Sequence, residues 1–350
     1  MSDFVILSAD TNQARGIAQY AIDFVTGRNG NSSNGPSDKV WQTLERFHID
    51  SIACGVSALA LGCNAPKVLL AEALEYRLPS GQKGASCLGS AAAVKPEKAV
   101  VANSSAVREW DSNGTNFGYD PARGHTAGEF GHNDFYPVAI AAAQVDALDG
   151  AAALRGMLAI DEIRGRLAEV FSLKSYKIDH VVHGAIASAA VYAAMLGGTV
   201  DQIESAIGLV VAHYIPFRAI RHGKQLSDSK GASAAISAEV AVLSAQRALR
   251  GFVGPTDIFR NPEAIFCLFE KPAEKGRSPF DLNLATSGDD FAVIGMHFKL
   301  GLYEHQSAGA IQGLIDLLTR HPQIYATPDD LCGIEITIYE PAFGIIGDPA

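Results

Sequence analysis

Cysteine is scarce in this chain and scattered. Cys54, Cys63, Cys87, Cys267 and Cys332 stand singly, with no C-x-x-C pair and no regular spacing. That leaves neither the close thiolate pairs of a structural zinc or iron–sulfur centre nor a disulfide framework, and it fits a reducing compartment. Long apolar runs are also missing: nowhere do about 18 apolar residues follow one another. The opening MSDFVILSADTNQARG lacks a basic stretch followed by a long apolar one. Neither export nor membrane insertion is indicated, and a cytoplasmic protein is expected (mitochondrial matrix in a eukaryote). Positive charge is short: 28 Lys and Arg stand against 38 Asp and Glu, a formal net charge of −10 with no basic block. A nucleic-acid partner is therefore excluded as an expectation. The chain has no G-x-S-x-G elbow, no H-E-x-x-H pair, no phosphate loop and no dinucleotide fingerprint. No metal and no organic cofactor are expected.

What is present is a long, moderately apolar chain. With 350 residues, 48% hydrophobic and 19% charged, it can bury a substantial core in each of two domains. Residues 10–26 show helical spacing through Ala14, Ile17, Ala18, Ala21 and Phe24, and residues 39–61 through Trp41, Leu44, Phe47, Ile52, Val56 and Leu59, closing on Gly62. A polar linker, RNGNSSNGPSD, separates them. Residues 81–89 read as a turn with a short strand at most, and Pro96 opens the next helix. Beyond residue 137 the runs AIAAAQVDAL, LRGMLAIDEIRGRLAEVF, HGAIASAAVYAAML, DQIESAIGLVVAH and GASAAISAEVAVLSAQRAL predict close-packed helices faced by small residues. The pattern changes near Gly254. FAVIGMHFKL and GIEITIY alternate as strands do, and SAGAIQGLIDLL between them is helical. The expected fold class is mainly α: a large all-α domain over 1–258 and a smaller α+β domain over 259–350 that ends directly after a strand and its turn and so looks incomplete.

Polar chemistry concentrates between Arg108 and His132, in REWDSNGTNFGYDPARGHTAGEFGH. If a helix continues from Ala106 to Thr115, Arg108, Asp111 and Thr115 share one face at i, i+3 and i+7. A Gly-rich loop then leads to His132, with Asn133 or Asp134 as N-cap and Pro137 in the first turn of an apolar helix. His132 would sit at the positive helix end, where a neutral imidazole beside a bound carboxylate is favoured. An ordinary surface loop has a similar polar content. It rarely carries four aromatics (Trp110, Phe117, Tyr119, Phe130) together with His125 and Glu129.

One segment runs against the acidic trend. Arg218, Arg221, His222, Lys224 and Lys230 lie in FRAIRHGKQLSDSK with a single Asp228, which suits a small polyanion or, equally, a solvated basic helix end. Lys299 and His305, in KLGLYEH, mark the exit of the first expected strand of the second domain. Asp179, His180 and His183 open a helix and read as capping and packing groups. Asp, Thr, several His and Lys spread over two domains suit proton abstraction beside a carboxylate, with cations offsetting the charge that builds.

D-x-x-x-T followed by G-H, a basic segment ending in a lysine before an Ala-rich helix, and K-x-x-x-Y-x-H together resemble the MmgE/PrpD family over nearly the whole chain. The resemblance implies a helical large domain with an α+β lid, a homodimer, and a metal-independent site in the cleft between the domains. By position it implies Asp111, Thr115, His132, Lys230 and His305 as catalytic residues, with Arg221, His222, Lys224 and Lys299 binding substrate. The activity implied is a lyase acting on a tricarboxylate: dehydration of 2-methylcitrate, with citrate as a second substrate, or decarboxylation of cis-aconitate; the alternative from another class is an inactive, truncated subunit that only binds polycarboxylates. Family members commonly have H-P-S-D where this chain has His132-Asn133-Asp134, and a Phe/Tyr-Pro element where it has Gly301-Leu302-Tyr303-Glu304. Relatives also continue past the position of Ala350.

Overall fold

The computed structural model describes residues 2–28, 35–114, 133–221, 227–299, 301, 303–338 and 342–347. They fall into two compact units, Met1–Phe298 and Lys299–Ala350. Among the described residues no single helix is long and apolar enough to cross a membrane.

The first unit is helical, as the small-residue periodicity predicts. Strand β1 (Phe4–Leu7) leads to α1 (Gln13–Val25), whose first turn is capped by the Asn12 side chain accepting from the Arg15 amide at 3.2 Å. Helix α2 (Asp38–Ala60), capped by Ser37, stops where Gly62 turns left-handed at φ +68. Then follow α3 (Asn64–Glu75), the short antiparallel pair β2 (Ala85–Ser86) and β3 (Ala93–Val94), and α4 (Pro96–Arg108), opened by its proline. A 3-10 turn (Asn133–Phe135) runs into α5 (Tyr136–Val145). The remaining long helices are α6 (Gly150–Val170), α7 (Val181–Met195), α8 (Val200–His213, with a Thr199/Gln202 capping box) and α9 (Asp228–Leu249).

Every residue of α7 is buried, so it is the central helix, apolar on all sides and packed against α1, α5, α6, α8 and α9. Such close packing needs small side chains. A Cβ on Gly184 would fall 2.1 Å from the Phe135 ring, so glycine is required for Phe135 to seat on α7 and fix the turn that carries Asn133 and Asp134. Helices α4 and α9 lie against each other along their lengths. Their links (Glu97 to Gln246, Lys98 to Glu239, Asp111 to Lys230) run in opposite sequence directions, so the pair is antiparallel.

The stretch after α9 packs on this same unit. Phe259, Phe266 and Phe280 join Phe171 in one aromatic cluster beside the short α10 (Ile265–Phe269). Strand β4 (Leu282–Ala285) pairs antiparallel with β1, Phe4 opposite Ala285 and Leu7 opposite Leu282. Residues 259–298 therefore belong by packing with the helices, and the second compact unit begins at Lys299.

Two expected strands do not form among the described residues. Ala292–Gly295 is a 3-10 turn, closed by Ile294 and Met296 amides donating to the Phe291 and Val293 carbonyls. The Ala292 amide donates to the Glu162 carboxylate at 2.7 Å, so a side chain supplies what a neighbouring strand would have. Residues 333–338 carry no regular structure. Alternating apolar residues make a strand only where a partner strand takes up the ladder bonds. In the second unit the helical pattern is realised: α11 (Ala308–Arg320) spans Ile311, Leu314, Ile315 and Leu318, followed by the short α12 (Pro322–Ala326).

Candidate active site

Helix α4 ends at Arg108, not beyond it, and the chain turns through Asp111 at φ +50. Arg108 and Asp111 therefore do not share the expected helical face. The turn nevertheless brings the two together. The Asp111 amide donates to the Arg108 carbonyl at 2.9 Å, and the buried Arg108 guanidinium donates to the Asp111 carboxylate. A left-handed residue that is not glycine is strained, and here the ion pair holds it.

Around this pair lies a buried polar network drawn from four elements. The Asp134 carboxylate, 1% exposed, sits 3.5 Å from Arg108 Nε and accepts from Asn113 Nδ2. Asn113 Nδ2 also donates to Asn133 Oδ1 at 2.8 Å. Asp50 of α2 accepts from the Gly114 amide at 3.0 Å and from Asn133 Nδ2 at 3.4 Å. Burial pushes the Asp134 and Asp50 carboxyls above the ordinary range, and Arg108 and the amide donors act against that shift. Asn133 and Asp134 are thus tertiary ligands of the Arg108 centre. They are not side-chain caps of α5, whose N-cap residue is Phe135 with no capping bond.

Lys230, in the first turn of α9, completes the centre. Its Nζ lies 3.4 Å from Asp111 Oδ2, across 119 residues of sequence. With side chains 33% and 26% exposed, Asp111 and Lys230 form the accessible edge of a network whose Arg108 and Asp134 are buried. A carboxylate that reaches solvent, backed by a fixed guanidinium and flanked by an ammonium, can take a proton while a neighbouring cation holds an anion.

The other residues marked from the sequence are distributed as follows. Thr115, His132, His222 and Lys224 lie outside the described residues. Arg221 ends the 3-10 turn Arg218–Arg221, tied to the start of α7 by the Arg218 amide donating to the Lys177 carbonyl and the Asp179 amide donating to the Pro216 carbonyl, both at 2.8 Å. Lys299 and His305 belong to the second unit, where His305 opens the 3-10 turn His305–Ser307. Among the described residues no three His, Cys, Asp or Glu side chains converge as a metal site.

Sequence reasoning missed the layer beneath. On α6, Asp161 accepts from Tyr136 Oη and from Arg164 Nε, and Arg164 stacks over the Phe135 ring at 5.3 Å. The signal was readable, because Asp161, Glu162, Arg164 and Arg166 crowd a helix otherwise built of core residues, and charges there must be paired. Asp179, assigned to capping, does accept from the Val181 amide at 3.3 Å, but its charge also acts on Arg108.

Two buried groups of this layer should tilt stability with pH in opposite directions. Burial pushes the Asp161 carboxyl from 3.8 up to about 6 against the pull of Arg164 and Tyr136. As pH rises through 4 to 6 the unfolded chain loses this proton first, so the contribution of Asp161 is full below pH 4 and lost by pH 6. Burial pushes His183 from 6.5 down to about 3, and its Nε2 has no hydrogen-bond partner. On acidification the unfolded chain is protonated first, so its contribution is full above pH 6.5 and lost as pH falls. The stability of wild type minus that of His183→Leu is expected to rise by about 1.4 kcal/mol per pH unit between pH 4 and 6, and that of wild type minus Asp161→Asn to fall at the same rate. Urea titrations across that range check both slopes; parallel curves would contradict the burial argument.

The first unit is thus helical and carries a partly exposed carboxylate and ammonium, Asp111 and Lys230, on the buried, paired Arg108 guanidinium. The sequence matches the MmgE/PrpD N-terminal domain over residues 27–277, and the chain belongs to the MmgE/PrpD family. Membership supports a dehydratase or lyase type of function.

Proposed function

We propose that this protein is a hydro-lyase that dehydrates 2-methylcitrate to 2-methyl-cis-aconitate, the step used in propionate breakdown by the methylcitrate cycle, with citrate as a second substrate. The observation that carries the reading is the Asp111–Lys230 pair, 3.4 Å apart on the buried Arg108. Dehydration removes a proton from a carbon next to a carboxylate and expels hydroxide from the adjacent carbon. The electron pair of the C–H bond becomes the new double bond, and the hydroxide leaves as water once protonated. Asp111 takes the proton, and Lys230 holds the carboxylate on which negative charge builds. His132 and His305 are the acids available to the departing hydroxide, Thr115 hydrogen-bonds the substrate, and Arg221, His222, Lys224 and Lys299 clamp the remaining carboxylates. The protein acts as a cytoplasmic homodimer on a small tricarboxylate.

Decarboxylation of cis-aconitate would draw on the same residue types, since it too needs cations on the carboxylates and a proton donor. Ultraviolet absorbance of the purified protein separates the two. Rising absorbance with 2-methylcitrate, in the presence of a chelator, is expected. Falling absorbance with cis-aconitate and a flat trace with 2-methylcitrate would give the decarboxylase if carbon dioxide is released and a hydratase if citrate forms, and no change with either would remove both readings.

A further inference from the structure

The antiparallel α4–α9 pair has a second end. At the first, the C-terminus of α4 meets the N-terminus of α9 and presents Asp111 and Lys230. At the other, the start of α4 and the last turns of α9 border a cavity of about 620 Å³. From Lys230 to Arg247 the rise of one helix spans about 25 Å, so the two ends cannot share a small ligand.

The cavity is basic in a chain of net charge −10. Lys83, Lys95, Arg247 and Arg250 line it, with Glu97 as the one carboxylate of the lining. Glu97 is buried and accepts from Gln246 Nε2 at 3.0 Å, so it is occupied within the protein. Lys83 is paired with Asp146 at 2.9 Å. Lys95 lies 5.5 Å from the Tyr76 ring centroid. Arg247 and Arg250, i and i+3 on one helix and both exposed, take part in no ion pair among the described residues. Two like charges so placed repel each other unless an anion lies between them. The lining also has an apolar part, formed by Tyr192, Leu196 and Leu243. A small, wholly polar carboxylate would leave those side chains wet. The volume falls within the range of small-molecule sites.

We propose that this cavity is a second anion site that holds an organic phosphate, its phosphate gripped by Arg247, Arg250 and Lys95 and its ring or hydrocarbon body laid against Tyr192, Leu196 and Leu243. Paired guanidinium groups suit phosphate because each presents two parallel donors to its oxygens.

Calorimetric titration with ADP tests the site, with pyrophosphate in parallel. Saturable binding of ADP, tighter than that of pyrophosphate, is expected. Arg247→Ala/Arg250→Ala is expected to weaken ADP at least tenfold, with circular dichroism and lyase turnover unchanged because both side chains are exposed and remote from Asp111. Lys230→Ala is expected to leave ADP affinity as it was. No saturable ADP binding would overturn the proposal, as would equal affinity for pyrophosphate. Binding lost in Lys230→Ala but kept in the double variant would assign the anion to the Asp111–Lys230 centre and overturn it too.

Discussion

Lys230→Ala is expected to lower kcat/KM for dehydration by about 10²–10⁴-fold while the protein stays folded. The side chain is only partly buried, and its partner Asp111 keeps the Arg108 ion pair when the ammonium is removed. In the proposed reaction this removes the cation beside the carboxylate where charge accumulates, so the effect should fall on the chemical step as well as on substrate binding. Asp111→Asn should reduce turnover comparably. The double variant should be little worse than either single one, because the two groups act on the same transition state. Initial rates by ultraviolet absorbance, with circular dichroism as the control for folding, measure all three. A Lys230→Ala enzyme within threefold of wild type would take Lys230 out of the site.

Glu162→Ala is expected to cost about 3–5 kcal/mol of stability. This buried carboxylate accepts from the amides of Ala285 and Ala292, each at 2.7 Å, and from Arg166 Nε at 2.8 Å. It thereby fastens β4 and the 292–295 turn to α6. Burial raises its pKa, and Arg166 with the two amides counteracts that. Truncation would orphan two buried amides and a hydrogen bond of a buried guanidinium. Arg166 keeps Glu169 at 2.9 Å and Asp290 at 3.0 Å, which limits the loss. Glu162→Gln, which still offers one oxygen, should cost less. A urea midpoint shifted downward at unchanged slope checks the figure, and a loss below about 1 kcal/mol would show that the 285–292 segment is held by its apolar contacts alone.

Much of the helical unit was legible because its cues are local. The spacing of Leu44 and Phe47, the proline opening α4, the glycine closing α2 and the small residues of α7 each act within a few turns of the helix they shape. The strands expected at 291–300 and 333–339 misled for the complementary reason. A strand is defined by its neighbour, and alternation says nothing of whether one is present. Of the site, the residue types Asp111 and Lys230 stood out as a carboxylate in a polar turn and a lysine opening an Ala-rich helix. The helix imagined to align Arg108 with Asp111 was not what aligned them. Asp50 and Asn113 carried no signal of their own, and Asp134 read only as an N-cap, because a polar residue beside a loop looks the same whether it meets water or a buried arginine.

The sequence by itself determined that this chain is mainly helical and that it belongs by resemblance with the MmgE/PrpD family. Those follow from periodicity and from ordered motifs, both of which are written along the chain. Tertiary structure alone decided that Asp111 and Lys230 meet, that Arg108 lies buried beneath them, and that Glu162 holds residues more than a hundred positions away. Those contacts come from α4 and α9 packing antiparallel and from β4 returning to β1, and long-range pairing of this kind is set by how whole elements bury their faces against one another.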